Sequence, residues 1–130
     1  FNQNIDKQGL NILGWRDVPV DHSRIGEIAA KTEPTIKQVF IGKNGQNLTE
    51  QQFGAKLFAA RKIAEHKILN SNLSEAGYFY LPSLSTNTLI YKGLLMPQDI
   101  SGYYQDLLQP EVVTRLALVH QRFSTNTFPT

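Results

Sequence analysis

Apolar residues recur along this chain at two characteristic spacings, and the spacings assign the elements. Phe53, Leu57, Ala60, Ala64 and Ile68 fall three or four residues apart, the period of one helix face. Just before them, Thr49 and Gln52 match a capping box, in which the hydroxyl accepts from an orphan amide and the glutamine reaches back. A helix from Thr49 to about Lys67 follows. A second stripe, Ile100, Tyr103, Tyr104, Leu107 and Leu108, predicts a helix opened by Pro97 and ended by Pro110. Gly102 weakens it by up to about 1 kcal/mol relative to alanine. Ser23 is placed to cap a shorter helix through Ala30 that carries Ile25, Ile28 and Ala29, and Pro34 bars continuation past Glu33.

Strand signals lie between these helices. Leu10 to Trp15 alternates loosely and runs into Val18-Pro19-Val20, which predicts a strand stopping near the proline. Residues 35–41 are β-rich, and the following Gly-Lys-Asn-Gly-Gln-Asn reads as a loop with Asn44-Gly45 at positive backbone angles. After a polar stretch at 70–77, the runs 78–84 and 88–91 predict a hairpin turned at Ser85-Thr86-Asn87. Its aromatics Tyr78, Phe79, Tyr80 and Tyr91 are expected to pack as core and cross-strand pairs. Leu116-Ala117-Leu118-Val119 is a short continuous apolar run, as in a buried strand. Strands alternating with helices, and a hairpin among them, make this an α+β or α/β piece with a largely antiparallel sheet.

Composition narrows the class. At 130 residues the chain is long enough for one domain. The net charge of +2 comes from scattered basic residues, which argues against a nucleic-acid partner. No apolar run approaches the roughly 18 residues that span a bilayer, so no membrane partner is expected. Phe1-Asn2-Gln3-Asn4 is neither basic nor apolar, and no secretory signal is visible. The chain contains no cysteine, which excludes disulfides, thiolate metal ligands and a cysteine nucleophile within it. Lacking an initiator methionine and stopping at Thr130, it reads as an internal piece of a longer protein.

The densest candidate chemistry follows the last apolar run. Arg122, Ser124, Thr125, Asn126 and Thr127 would sit beyond a strand end, where a rigid scaffold aims binding groups. A guanidinium fork matches a planar carboxylate, and hydroxyls or backbone amides can complete the cage. An exposed arginine before an ordinary polar turn is the competing account. His22, His66 and His120 have no metal-ligand spacing; His66 falls on the polar side of its helix, and His120 reads as a hydrogen-bonded structural histidine closing the strand. No metal site is expected. Ser83 and Ser85 lie in no nucleophile-elbow pattern, and Lys43 between glycines enters no phosphate loop. Asn47-Leu48-Thr49 and Asn72-Leu73-Ser74 match the glycosylation pattern by chance.

Several separated blocks then resemble one family. They are Gly9-Leu10, Gly14-Trp15-Arg16-Asp17-Val18-Pro19-Val20-Asp21, Gln38-Val39-Phe40-Ile41, Ser83-Leu84-Ser85, Ile90-Tyr91-Lys92-Gly93, Tyr104-Gln105-Asp106-Leu107 and His120 through Pro129. Their order and approximate spacing are similar to the amidotransferase domain of glutamate synthases, along almost the whole chain. The resemblance implies a class II glutamine amidotransferase and part of the four-layer αββα sandwich of amino-terminal nucleophile hydrolases. In that family an amino-terminal cysteine attacks the side-chain amide of L-glutamine and its own α-amino group manages the proton. The ammonia released passes to a second site, where it meets 2-oxoglutarate and is reduced to L-glutamate. The parent is expected to use FMN and an iron–sulfur cluster, and to take electrons from ferredoxin or a nicotinamide-linked partner through its other domains.

Residue by residue, the family's His-x-Arg-aromatic-Ser-Thr segment maps onto His120, Arg122, Phe123, Ser124 and Thr125. The resemblance implies that Arg122 grips the α-carboxylate of glutamine, that Thr125 adds a donor to it, and that Phe123 and Asn126 line the pocket. The Trp15-Arg16 and Tyr91-Lys92-Gly93 blocks are expected to be structural. The family's cysteine would lie upstream of Phe1 and its oxyanion Asn-Gly pair downstream of Thr130. Residues 1–130 are therefore expected to hold no catalytic residue and no cofactor site, and to be inactive alone. Two other readings stay open: a different class II amidotransferase, and a non-catalytic amino-acid-binding module derived from one. A bacterial cytoplasm or a chloroplast stroma suits the segment.

Overall fold

The computed structural model describes residues 1–93 and 95–120. Its elements are mixed: α1 (Asn2–Lys7), β1 (Asn11–Asp17), α2 (Glu27–Ala30), β2 (Lys37–Gly42), α3 (Glu50–Leu69) and α4 (Ile100–Tyr103), with 3-10 turns at His22–Arg24, Ala76–Tyr78, Pro97–Asp99 and Gln105–Leu108. Two compact units divide them. One combines Phe1–Asp17 with Thr35–Gly93; the other contains Val18–Pro34 and the described residues 95–120.

In the first unit, β1 and β2 form a two-stranded antiparallel ribbon. Its register pairs Ile12 with Ile41 and Gly14 with Phe40, so Leu13 is an extra residue in a bulge. The bulge flips the alternation, leaving Leu13 exposed while Ile12 and Ile41 pack toward the core. Cross-strand polar pairs lock the other end: Arg16 Nε donates to Gln38 Oε1 at 2.6 Å, and Lys37 Nζ lies 2.6 Å from Asp17 Oδ1.

The core lies between α1 and α3. Ile5, Leu10, Phe53, Leu57 and Ala60 are buried together, with Phe1, Ile12, Ile41, Leu48 and Leu84 packed around them. Helix α3 presents the predicted face, Phe53, Leu57, Ala60 and Ala64, and begins in the predicted capping box. Gln52 N–H donates to Thr49 Oγ1 at 3.2 Å, and Thr49 N–H to Gln52 Oε1 at 3.0 Å. The loop before it carries positive φ at Asn44 (50°) and Gly45 (72°), as its sequence requires. Lys43 Nζ donates to Leu48 O at 2.9 Å and pairs with Glu50 at 2.7 Å, so this lysine closes the loop. Lys56 Nζ reaches the Gln8 carbonyl at 2.6 Å, and Lys67 reaches Asn4 Oδ1 at 3.2 Å, tying α3 to α1.

In the second unit, residues around Val20 and Tyr104 form an antiparallel bridge. Asp21 N–H donates to Tyr103 O at 2.8 Å and Gln105 N–H to Pro19 O at 3.1 Å. This bridge is why the single helix predicted from Pro97 to Pro110 is broken. Tyr104 turns to an extended angle (ψ 96°) to pair with Val20, and the segment becomes two 3-10 turns flanking a four-residue helix. A long-range pair outcompetes a helix already weakened by Gly102.

The predicted Ser23–Ala30 helix is also divided. Asp21 Oδ1, rather than Ser23, caps the turn, accepting from Ser23 N–H at 3.0 Å and from Ser23 Oγ at 2.6 Å. Ile25 is then extended and Gly26 becomes the cap of α2.

Two strand expectations fail among the described residues. Residues 79–91 form no hairpin; Asn87 N–H does donate to Ser85 Oγ at 3.1 Å, so the turn forms without its strands. Tyr78 and Tyr80 are exposed rather than core, with the Lys92 ammonium 4.7 Å from the Tyr80 ring centre. The run 116–119 is neither strand nor buried, and Leu118 is 94% exposed. Both follow from one cause. A strand is stabilised by a neighbour's backbone and by an apolar face to cover it, and a lone hairpin is marginal in water. Among the described residues neither segment pairs with a strand.

Candidate functional site

The candidate glutamine-binding residues Arg122, Phe123, Thr125 and Asn126 lie outside the described residues. What precedes them is described. Leu116, Leu118 and Val119 stand in solvent, and His120 is exposed rather than closing a buried strand. The expected closing of a buried strand by His120 is thereby corrected, because no described strand pairs with the run that precedes it. His66 is exposed on α3, as its polar face predicts.

The conspicuous sequence blocks have structural positions. Trp15 packs edge-on against Phe1, with ring centroids 5.7 Å apart, and Arg16 braces β2 through Gln38. Gly9, with φ 73°, ends the α1 turn where its carbonyl accepts from the Gln46 side-chain amide. Among the described residues no group of three or more His, Asp or Glu could hold a metal ion. An open groove along the end of α3 is lined by Lys62, Ile63, Glu65, His66, Lys67 and Leu69, and none of these residues was a candidate.

One polar constellation was not legible in the sequence. Tyr103 Oη donates to Glu33 Oε1 at 2.6 Å, while His22 Nδ1 lies 2.7 Å from Glu33 Oε2. The Tyr103 hydrogen bond, followed by that of His22, holds the Glu33 carboxyl below its ordinary range, against the opposing effect of burial. The Tyr103 phenol is pushed up, first by burial and then by its bond to Glu33. Tyr103 and Glu33 are 70 residues apart, and the backbone pairing around Val20 and Tyr104 joins the segments that carry them. No spacing rule could have found them.

Comparison with known proteins places the chain. The NADPH glutamate synthase large chain of Bacillus subtilis is 45% identical over 130 residues, all of this chain and 8% of that protein. The NADH glutamate synthase of Schizosaccharomyces pombe is 40% identical over 129 residues, which is 99% of this chain and 6% of the relative. The chloroplastic ferredoxin-dependent glutamate synthase 2 of Arabidopsis thaliana is 37% identical over 124 residues, 95% of this chain and 7% of the relative. This chain thus spans less than a tenth of the length of these relatives. The family of class II glutamine amidotransferases matches residues 1–130, and with a match across its full length the chain belongs to that family.

Proposed function

We propose that residues 1–130 are an internal part of the glutaminase domain of a glutamate synthase. The parent protein releases ammonia from L-glutamine and transfers it reductively to 2-oxoglutarate, giving L-glutamate. The observation that carries this reading is the end-to-end match to proteins named glutamate synthase, at 45% identity over 130 residues in the Bacillus subtilis relative. The exposed run at Leu116, Leu118 and Val119 supports it as well. A continuous apolar run in solvent suits a strand whose sheet neighbours come from the remainder of a four-layer αββα sandwich.

In this reading Arg122 binds the α-carboxylate of glutamine through its two-pronged guanidinium. Thr125 donates to the same carboxylate, and Phe123 and Asn126 line the pocket. These groups hold and orient the substrate. Neither nucleophile nor oxyanion donors are assigned to this chain, which has no cysteine. For the same reason the thiolates of the iron–sulfur cluster expected in the parent come from elsewhere, and FMN is assigned to the synthase domain. The relatives carry NADPH, NADH and ferredoxin in their names, so the parent's electron donor is one of these classes. No helix of the described residues is long and apolar enough to cross a membrane. A bacterial cytoplasm or a chloroplast stroma is the proposed setting.

The test is Arg122→Ala in the full-length protein. Truncating one side of a desolvated charge pair costs about 2–5 kcal/mol, a loss of roughly 30-fold or more in kcat/KM for glutamine. Synthesis from free ammonia should be retained, because that route bypasses the glutamine pocket. Unchanged glutamine kinetics would remove Arg122 from the site.

A further inference from the structure

Helix α3 carries apolar residues on two faces, and the core described above uses only one of them. Phe53, Leu57, Ala60 and Ala64 are buried on the inner face. Phe58, Lys62 and Leu69, spaced four and seven residues apart, form a second stripe turned away from the first. Phe58 is 60% exposed and Leu69 61%, and Ile63 and Leu73 beside them are also exposed. A helix covered on one side alone shows polar residues on the other, whereas one apolar on both sides is covered on both.

The charges along this second stripe are held within it. Glu65 Oε1 lies 2.8 Å from Arg61 Nε and Glu65 Oε2 lies 3.2 Å from Lys62 Nζ. The Lys62 ammonium stands 5.9 Å from the Phe58 ring centre, and Lys67 turns to Asn4. Such a surface suits polypeptide rather than a phosphate-rich partner, which calls for clustered cations. The open groove at this end of α3, lined in part by Ile63 and Leu69, is a recess for an apolar side chain.

On the glutamate synthase reading above, we propose that the second face of α3 is an interdomain interface, covered in the parent by a segment of the same polypeptide outside residues 1–130. Size selects this occupant. A helix of 20 residues is about 30 Å long, so a stripe about 10 Å wide offers about 300 Å². A stable contact between separate molecules takes about 800 Å² from each. A tethered segment needs less, because the linkage raises its effective concentration. Tethered chain is plentiful: residues 1–130 span 8% of the Bacillus subtilis relative and 6% of the Schizosaccharomyces pombe one.

Cysteine accessibility in the full-length protein tests the interface. Phe58→Cys and, as an exposed reference, Lys7→Cys on the polar side of α1 are treated with a hydrophilic maleimide, and each labelled peptide is quantified by mass spectrometry. Both positions are exposed and outside the core cluster, so the variants fold, which retained glutamate formation from glutamine verifies. The thiol at position 58 should react at least about tenfold more slowly than that at position 7, as for an interface open less than about a tenth of the time. The slowing should persist on roughly hundredfold dilution, because an intramolecular contact is independent of concentration. A photoreactive p-benzoylphenylalanine at position 58 should crosslink to a peptide of the same chain outside residues 1–130. Equal labelling at the two positions, protection lost on dilution, or a crosslink confined to residues 1–130 or made to another chain would overturn the proposal. Any of these with glutamine-dependent activity intact leaves the glutaminase assignment standing, whereas a wild-type parent without that activity removes the assignment itself.

Discussion

Replacing Thr49 with alanine tests whether the capping box starts α3. The Thr49 hydroxyl accepts from the Gln52 amide at 3.2 Å, and alanine leaves that amide without its acceptor. The reciprocal bond, Thr49 N–H to Gln52 Oε1 at 3.0 Å, does not need the hydroxyl and can persist. Both bonds are at exposed positions, so water replaces the lost partner and the cost stays near the middle of the N-cap range, about 1 kcal/mol. That corresponds to roughly a fivefold loss of hydrogen-exchange protection in the first turn of α3. Thr49→Asp keeps an acceptor and adds a negative charge at the helix start, and should lose nothing. Peptide-resolved exchange of the parent protein would measure all three forms. Equal protection in wild type and Thr49→Ala would show that tertiary packing alone positions the helix start.

Two further outcomes follow from the same helix. Leu57 is 3% exposed within the Ile5–Leu10–Phe53–Ala60 cluster, so Leu57→Ala should destabilise this unit by about 2–5 kcal/mol and Leu57→Met by less than about 1.5, read as shifts in a denaturant or thermal midpoint. The Glu65 carboxyl is held below its ordinary 4.5, first by its bond from Arg61, and Glu50 likewise by Lys43. Their contribution is present above the ordinary value and is lost as the pH falls through the lowered folded values. Protection of α3 should therefore decline on acidification below about 4.5, less so in Glu65→Gln, and an identical acid profile in that variant would refute the linkage.

How far the sequence could be read differed from element to element, for a physical reason. Thr49, Gln52 and the Phe53–Ala64 stripe interact within a few residues, and the helix they predict formed with its cap. Asn44-Gly45 carries its backbone preference in the residues themselves, and the loop formed as expected. The bulge at Leu13 and the break at Tyr104 depend on partners far along the chain, Phe40 with Ile41 in one case and Val20 in the other. The aromatics of 78–80 showed β propensity, but propensity without a neighbouring strand did not make a sheet.

The site divides along the same line. Residue identity by itself settled the family and nominated Arg122, because ordered blocks such as Gly-Trp-Arg and Tyr-Lys-Gly are properties of the linear chain. Tertiary structure alone decided that Glu33 meets both His22 and Tyr103, and that the core gathers between α1 and α3. Local patterns encode what short-range hydrogen bonds and side-chain periodicity can enforce. Contacts between distant segments arise from the competition for burial and pairing across the folded chain, which no window of neighbouring residues contains.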